Sequence, residues 1–295
     1  MAPRLTIVVT CADRKSLPVQ ADLRFRHVPT GTPEERALDW RGRLRRGGPE
    51  RQLISLYQGE QWRASLRLAD VARQTGFDPR LLVASAGLGL RSVEATAPAY
   101  AATFASRNVD AVAHTADEAV EWWAQMSQSP GALDLSGLQG HLLLVLSRSY
   151  ARPLTDDLAA LGRSNPAGAL VGGASDVPGI VRMPSNATLR LALGGTLLSL
   201  NQRMATRFLQ VSEGPKGWLS TAHLEKWTRW TNESEHAETF NRRRGDDSAI
   251  KAWIGRLISH TPVSATQALG TFRNHGFACE QERFTRIYRE VRTKR

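Results

Sequence analysis

The sequence predicts an α/β fold: an open, mostly parallel sheet flanked by helices, followed by a C-terminal helical bundle. Three observations predict it. Short apolar runs rich in β-branched residues, such as Leu5-Thr6-Ile7-Val8-Val9-Thr10, have the character of strands buried on both faces. Helix-length stretches separate these runs, and that alternation builds parallel sheets. The strand signals then stop near Gly214, beyond which tryptophans and basic residues accumulate.

The first strand, 5–10, ends at Cys11-Ala12-Asp13-Arg14-Lys15. The stretch 30–51 carries six arginines and four glycines and reads as an exposed, mobile insertion. Its Arg43, Arg45 and Arg46 are candidate DNA contacts, and a solvated loop is the equal alternative. A helix is expected over 61–75. A second strand, Leu81-Leu82-Val83-Ala84-Ser85, runs into the turn Ala86-Gly87-Leu88-Gly89-Leu90. A helix over 116–126, a strand over 141–147, a helix over 155–161 and a strand over 168–173 follow. The first domain is thus expected to span 1–215 and a basic helical domain 216–295, the latter holding Trp218, Trp227, Trp230 and Trp253. Three helices fit its end. Asp247 or Ser248 caps one that Thr261-Pro262 breaks. Ser264 starts the next, with Gly276 at its stop. The last, 278–291, places Phe277, Phe284, Ile287 and Tyr288 on one apolar face. Three short helices with a basic final one resemble a helix-turn-helix bundle, a form that also serves as a packing appendage. No internal repeat of 20–50 residues is present.

With 295 residues and 41% hydrophobic content, the chain can bury a sizeable core, which excludes wholesale disorder. No apolar run approaches the ~18–20 residues of a membrane span. The first residues lack the pattern of a signal peptide, and two cysteines are too few for a disulfide scaffold. A soluble, reduced, cytoplasmic protein without a membrane partner is expected. The 39 basic against 28 acidic side chains give a net charge of +11. Such an excess favours a polyanion, most commonly DNA or another nucleic acid. Only five of the basic residues are Lys, and an Arg bias of this kind also follows from GC-rich coding. Twelve basic and five acidic residues lie from Arg242 onward. Arg242, Arg243, Arg244, Arg286 and Arg289 are therefore further candidate DNA contacts. His236-Ala237-Glu238 fits the H-x-E of zinc deaminases, but its P-C-x-x-C partner is missing. No H-E-x-x-H, P-loop or complete G-x-G-x-x-G occurs, so neither a metal nor a cofactor is expected. His223 and Glu225 are expected at the surface.

Cys11 is the leading candidate for chemistry. It follows a buried strand directly, where open α/β sheets place their ligands. The neighbouring Arg14 and Lys15 favour its thiolate, and Asp13 offers an acid/base group. A small buried hydrophobe is the alternative. Ser85, Gly87 and Gly89 occupy the matching end of the second strand, where glycines allow close backbone approach to a ligand. Tyr57 and Tyr100 are candidate stacking platforms for a base, or core aromatics.

Cys11-Ala12-Asp13-Arg14-Lys15 resembles the C-[SA]-x-x-K signature that ends the first strand of YaaA-like domains. Leu56-Tyr57-Gln58-Gly59 with Trp62, Ser85-Ala86-Gly87-Leu88-Gly89-Leu90 and Pro98-Ala99-Tyr100 are similar to further motifs of that family, in the same order over roughly 5–150. At the turn, Gly87-Leu88 stands where relatives usually have Lys-Tyr. The resemblance implies a DNA- or RNA-related role and relatives in 7-deazaguanine modification clusters and the archaeosine-forming core. It also implies partner proteins of a modification or phage-defence cluster. In such relatives a Cys and a Lys near the first strand would face a nitrile-bearing deazaguanine. Three functions stay open: an enzyme modifying a (deaza)guanine-type base through Cys11 and Lys15; a non-catalytic DNA-binding protein of stress response or phage defence; and a small-molecule glycosidase or transferase.

Overall fold

The strand β1 (Arg4–Thr10) buries every residue from Leu5 to Thr10 because it lies inside a six-stranded sheet. This computed structural model describes residues 2–165, 167–236, 243–260 and 263–293. Beyond β1 come α1 (Pro33–Arg46), β2 (Glu50–Gln52), α2 (Leu53–Leu56), α3 (Glu60–Gln74), β3 (Asp78–Ser85), β4 (Gly89–Ser92) and β5 (Thr96–Pro98). Then follow α4 (Ala116–Ser127), β6 (His141–Leu146), α5 (Arg148–Ala151), α6 (Thr155–Ser164), β7 (Gly168–Gly172) and β8 (Ile180–Met183). The helices α7 (Arg190–Leu193), α8 (Leu200–Val211) and α9 (Thr221–Ser234) end the first of two units, Met1–His236.

The sheet order is β4-β3-β1-β6-β7-β8. β1 pairs in parallel with both β3 and β6, so Val8 faces Leu82 on one side and Leu144 on the other. Only β4 runs antiparallel, folding back on β3 through the turn at Ser85–Gly89. The expected mostly parallel α/β sheet, with 5–10, 81–85 and 141–146 as central neighbours, is present. The chain leaves β1 for β3 on one side and later returns to β6 on the other. The loops after β1 and β6 therefore diverge at their carboxyl ends, which opens a crevice there.

The stretch 30–51 is not the mobile insertion its glycines and arginines suggested. It folds as α1, whose N-cap Thr32 and Glu35 form a reciprocal capping box with Pro33 in the first turn. Ala37 and Trp40 are wholly buried, and the Trp40 indole N–H donates to the Gly87 carbonyl at 2.9 Å. A single large aromatic at the right helical position outweighed the composition signal.

The unit boundary lies after His236 rather than near 215. The segment 216–236 carries aromatics that belong to the first core. Trp218 packs edge-on against Phe77 and Phe208, and its indole N–H donates to the Ala167 carbonyl at 3.0 Å. Trp227 packs edge-on against Phe208. His223, expected at the surface, is 2% exposed and stacks on Phe208 with ring centroids 4.1 Å apart.

The second unit, Ala237–Arg295, holds β9 (Arg243–Arg244), α10 (Asp247–His260), α11 (Ala265–Asn274), β10 (Phe277–Ala278) and α12 (Gln281–Thr293). Ser264 and Gln267 form a capping box at α11, and Gly276 adopts the left-handed conformation (φ +82°) after it. Ile250, Ile254, Phe272, Phe284 and Ile287 close its core. The three expected helices are all found, the last beginning at Gln281 rather than 278. Among the described residues, no helix is long and apolar enough to cross a membrane.

Candidate functional site

A cleft of about 480 Å³ occupies the crevice at the carboxyl ends of β1 and β6. Cys11, Ala12, Asp13 and Lys15 supply one wall, and Ser147 to Tyr150, which follow β6 directly, supply another. Cys11 is held rigidly: its amide N–H donates to the Ala84 carbonyl at 3.0 Å, extending the β1–β3 ladder by one residue. Its Sγ lies 3.1 Å from the Tyr150 hydroxyl. Burial, then the proximity of Cys11, pushes the Tyr150 phenol well above its ordinary value, so it keeps its proton. A phenol that stays protonated can donate a hydrogen bond to the sulfur.

Lys15 is pinned by its backbone. It bridges to Tyr57, while the Ser16 and Gln58 amides bond the Leu56 and Arg14 carbonyls. Its ammonium donates to the Asp13 carbonyl at 3.0 Å and lies 4.6 Å from the Tyr100 ring centroid. Burial lowers its pKa, opposed by electrostatic interaction with Cys11, Asp13 and Asp110. A lysine so placed releases a proton more readily than an exposed one. Asp13 is exposed at the cleft edge, and its backbone rather than its carboxylate holds Lys15.

The remaining predicted substrate residues lie beneath this wall and do not line the cleft. The Tyr57 and Ser85 hydroxyls each stand 2.5 Å from that of Tyr100, forming one buried chain. Ser85 Oγ also accepts the Gly87 N–H at 3.1 Å. Burial raises the pKa of both phenols. Neither ring offers a face to a base: Tyr57 packs on Trp62 and Tyr100 on Trp40. The glycines of this turn serve packing. A Cβ on Gly87 would lie 2.6 Å from the Tyr100 ring, and one on Gly89 would lie 2.7 Å from the Met126 carbonyl. The first-strand signature and the tyrosine motifs thus meet in space, with Lys15 seated on Tyr100 and the hydroxyl chain supporting it.

Comparison with protein-family models, with curated proteins and with solved structures finds no match to this chain.

The sequence reading missed Tyr150 and the far wall. Ser147-Arg148-Ser149-Tyr150 had a usable signal, because it stands at the end of β6 as Cys11 stands at the end of β1. Asn201 and Gln202 of α8 had none, since α8 reaches the cleft only through the tertiary fold.

The candidate DNA contacts divide. In the first unit, Arg43 is bonded to Asp39 at 2.6 Å and to the Asp22 carbonyl, and its side chain is 14% exposed. Arg45 and Arg46 are exposed. In the second unit, Arg243 and Arg244 are exposed on β9, and Arg289 is exposed on α12. Arg286 pairs with Asp247 and Glu290 of its own unit. Arg242, with Ala237 and Glu238, lies outside the described residues.

Proposed function

We propose that the first unit is a thiol-dependent enzyme acting on a (deaza)guanine-type base, free or in DNA, with Cys11 as nucleophile. The observation that carries this reading is the Cys11 thiol on the wall of a cleft at the sheet crevice, with a phenol donor at 3.1 Å and a lysine of lowered pKa beside it. The resemblance of 5–150 to YaaA-like domains supports the choice of base. For a nitrile-bearing deazaguanine the chemistry is as follows. The Cys11 thiolate, within hydrogen-bond reach of the Tyr150 O–H, attacks the nitrile carbon, and a C–S bond forms. The displaced π pair moves to nitrogen, which takes a proton from the Lys15 ammonium, giving a thioimidate. Water then adds at the same carbon, one of its protons passing to the nitrogen and the other returning to Lys15; the C–S bond breaks, the thiolate is regenerated and an amide departs. An amine in place of water gives an amidine.

The test is mass spectrometry of the full-length chain incubated with 7-cyano-7-deazaguanine and with DNA carrying it. An adduct on Cys11, or turnover lost in Cys11→Ala, is expected. Equal turnover by Cys11→Ala, or neither adduct nor turnover in the wild type, overturns the reading.

A small-molecule enzyme is the second reading. It is favoured by the internal pairing of Arg43 and Arg286, which removes two of the expected phosphate contacts. The exposed Arg243, Arg244 and Arg289 decide between the two. If DNA is bound, replacing all three with Ala flattens the log–log salt dependence of affinity by roughly three units. An unchanged slope, or no DNA affinity at low salt, favours the small molecule.

A further inference from the structure

On the far wall of the Cys11 cleft, one buried polar group has no partner. Gln202 projects from α8, is 2% exposed and lines the cleft, yet its Oε1 has no hydrogen-bond partner among the described residues. Buried carbonyl oxygens are rarely left so, because they lose water without replacement. Its neighbours on the same wall are engaged. Asn201 Nδ2 donates to the Leu146 carbonyl at 3.2 Å and its Oδ1 accepts the Ser185 hydroxyl at 2.7 Å. Gln61 donates to Thr10 Oγ1 at 2.7 Å. Asn201 is thus fixed by the fold, whereas the adjoining carboxamide keeps an acceptor in reserve.

Two further features say what would satisfy it. Next to the Gln202 wall, the cleft rim carries Leu197 and Leu198, 61% and 78% exposed, on a segment that follows the left-handed glycines Gly194 and Gly195. That segment is anchored, not loose: Glu60 accepts from the Thr196 amide at 3.0 Å and from the Ser199 hydroxyl at 2.7 Å. Exposed leucines at the mouth of the cleft offer an apolar surface to the face of a flat ring. The rest of the lining sets the hydroxyls of Thr103, Ser147 and Ser149 beside the charged Asp13, Lys15 and Arg148. An N–H on the edge of a bound heterocycle suits the Gln202 oxygen.

We propose that Gln202 is the recognition residue of the cleft and that its ligand is a planar heterocycle bearing a lactam edge. In such an edge a ring N–H stands beside a carbonyl. A carboxamide is the complement of this edge: its oxygen accepts the ring N–H and its NH₂ can donate to the ring carbonyl. The choice of a guanine-type lactam rests on the proposed action on such a base; the need for an N–H donor rests on Gln202 alone.

The experiment measures binding of guanine and of 2-aminopurine, which keeps the ring but lacks the lactam, to the full-length chain by calorimetry. The wild type is expected to prefer guanine by about tenfold or more. Gln202→Met, which keeps the volume and removes the amide, is expected to lose that preference and leave 2-aminopurine affinity unchanged. The ligand-free Gln202→Met protein is expected to melt at or above the wild-type temperature, because an unpartnered buried acceptor has been removed. A preference that survives in Gln202→Met, a wild type that binds neither base, or a ligand-free melting temperature lowered by several degrees overturns the inference. Cys11→Ser separates the two proposals. If it keeps the guanine preference while the wild type forms no adduct and shows no turnover, the chemistry falls and the recognition role stands.

Discussion

At the scale of single residues, two environments have measurable consequences. Tyr150 holds its hydroxyl 3.1 Å from the Cys11 sulfur, and burial keeps that phenol protonated. Tyr150→Phe leaves the ring and removes the donor. A hydrogen bond to a charged group contributes about 1.5–3 kcal/mol, so alkylation of Cys11 by iodoacetamide at neutral pH should slow by about tenfold or more. An unchanged rate in a Cys279→Ser background would show that the phenol does not act on the sulfur. His223 has the opposite relation to charge. Burial lowers its pKa below 6.5, its Nε2 meets the Phe208 carbonyl at 2.9 Å, and its Nδ1 accepts the Leu219 amide. Between the lowered folded value and 6.5 the unfolded chain binds more protons, so stability rises with pH and is lost as pH falls through this window. His223→Gln, which does not titrate, should flatten that decline in thermal melts recorded from pH 7 to 5.

At the scale of elements, α1 is the informative case. Its exposed face is dense in arginine, and on composition it reads as a loose arm. Yet Trp40 is fully buried and hydrogen-bonded to Gly87, and the Arg36 guanidinium lies 4.8 Å from the Phe25 ring. The indole also packs edge-on against Tyr100, under Lys15. Trp40→Ala should therefore cost about 3–5 kcal/mol in urea denaturation, a loss no mobile insertion could produce. A change below 1 kcal/mol would return this segment to the status of an arm.

At the scale of the whole molecule, the division after His236 makes a prediction about truncation. A chain ending at 236 keeps α9 and its Trp227 and His223 contacts with Phe208, and should melt cooperatively. A chain ending at 215 removes Trp218, His223 and Trp227 and uncovers Phe208 and Phe77. It should melt several degrees lower or aggregate. Equal melting of the two fragments would place the boundary near 215 after all.

What the sequence determined by itself was whatever rests on local periodicity. The central strands, the helical end with Ser264 and Gly276 at its caps, and Cys11 and Lys15 at the end of β1 were all legible, because apolar runs and capping residues act within a few positions of themselves. Tertiary structure decided what depends on partners far along the chain. Trp40 turned an arginine-rich stretch into a packed helix, and Phe208 drew His223 and Trp227 into the first core. The same holds for the cleft: Cys11 stands just past the end of β1, Tyr150 on α5 and Gln202 on α8, and only the crossing of the chain from one side of β1 to the other brings them to one crevice. Tyr57, Tyr100 and Ser85 were singled out as ligand contacts and became its support, since their hydroxyls found each other before any ligand could.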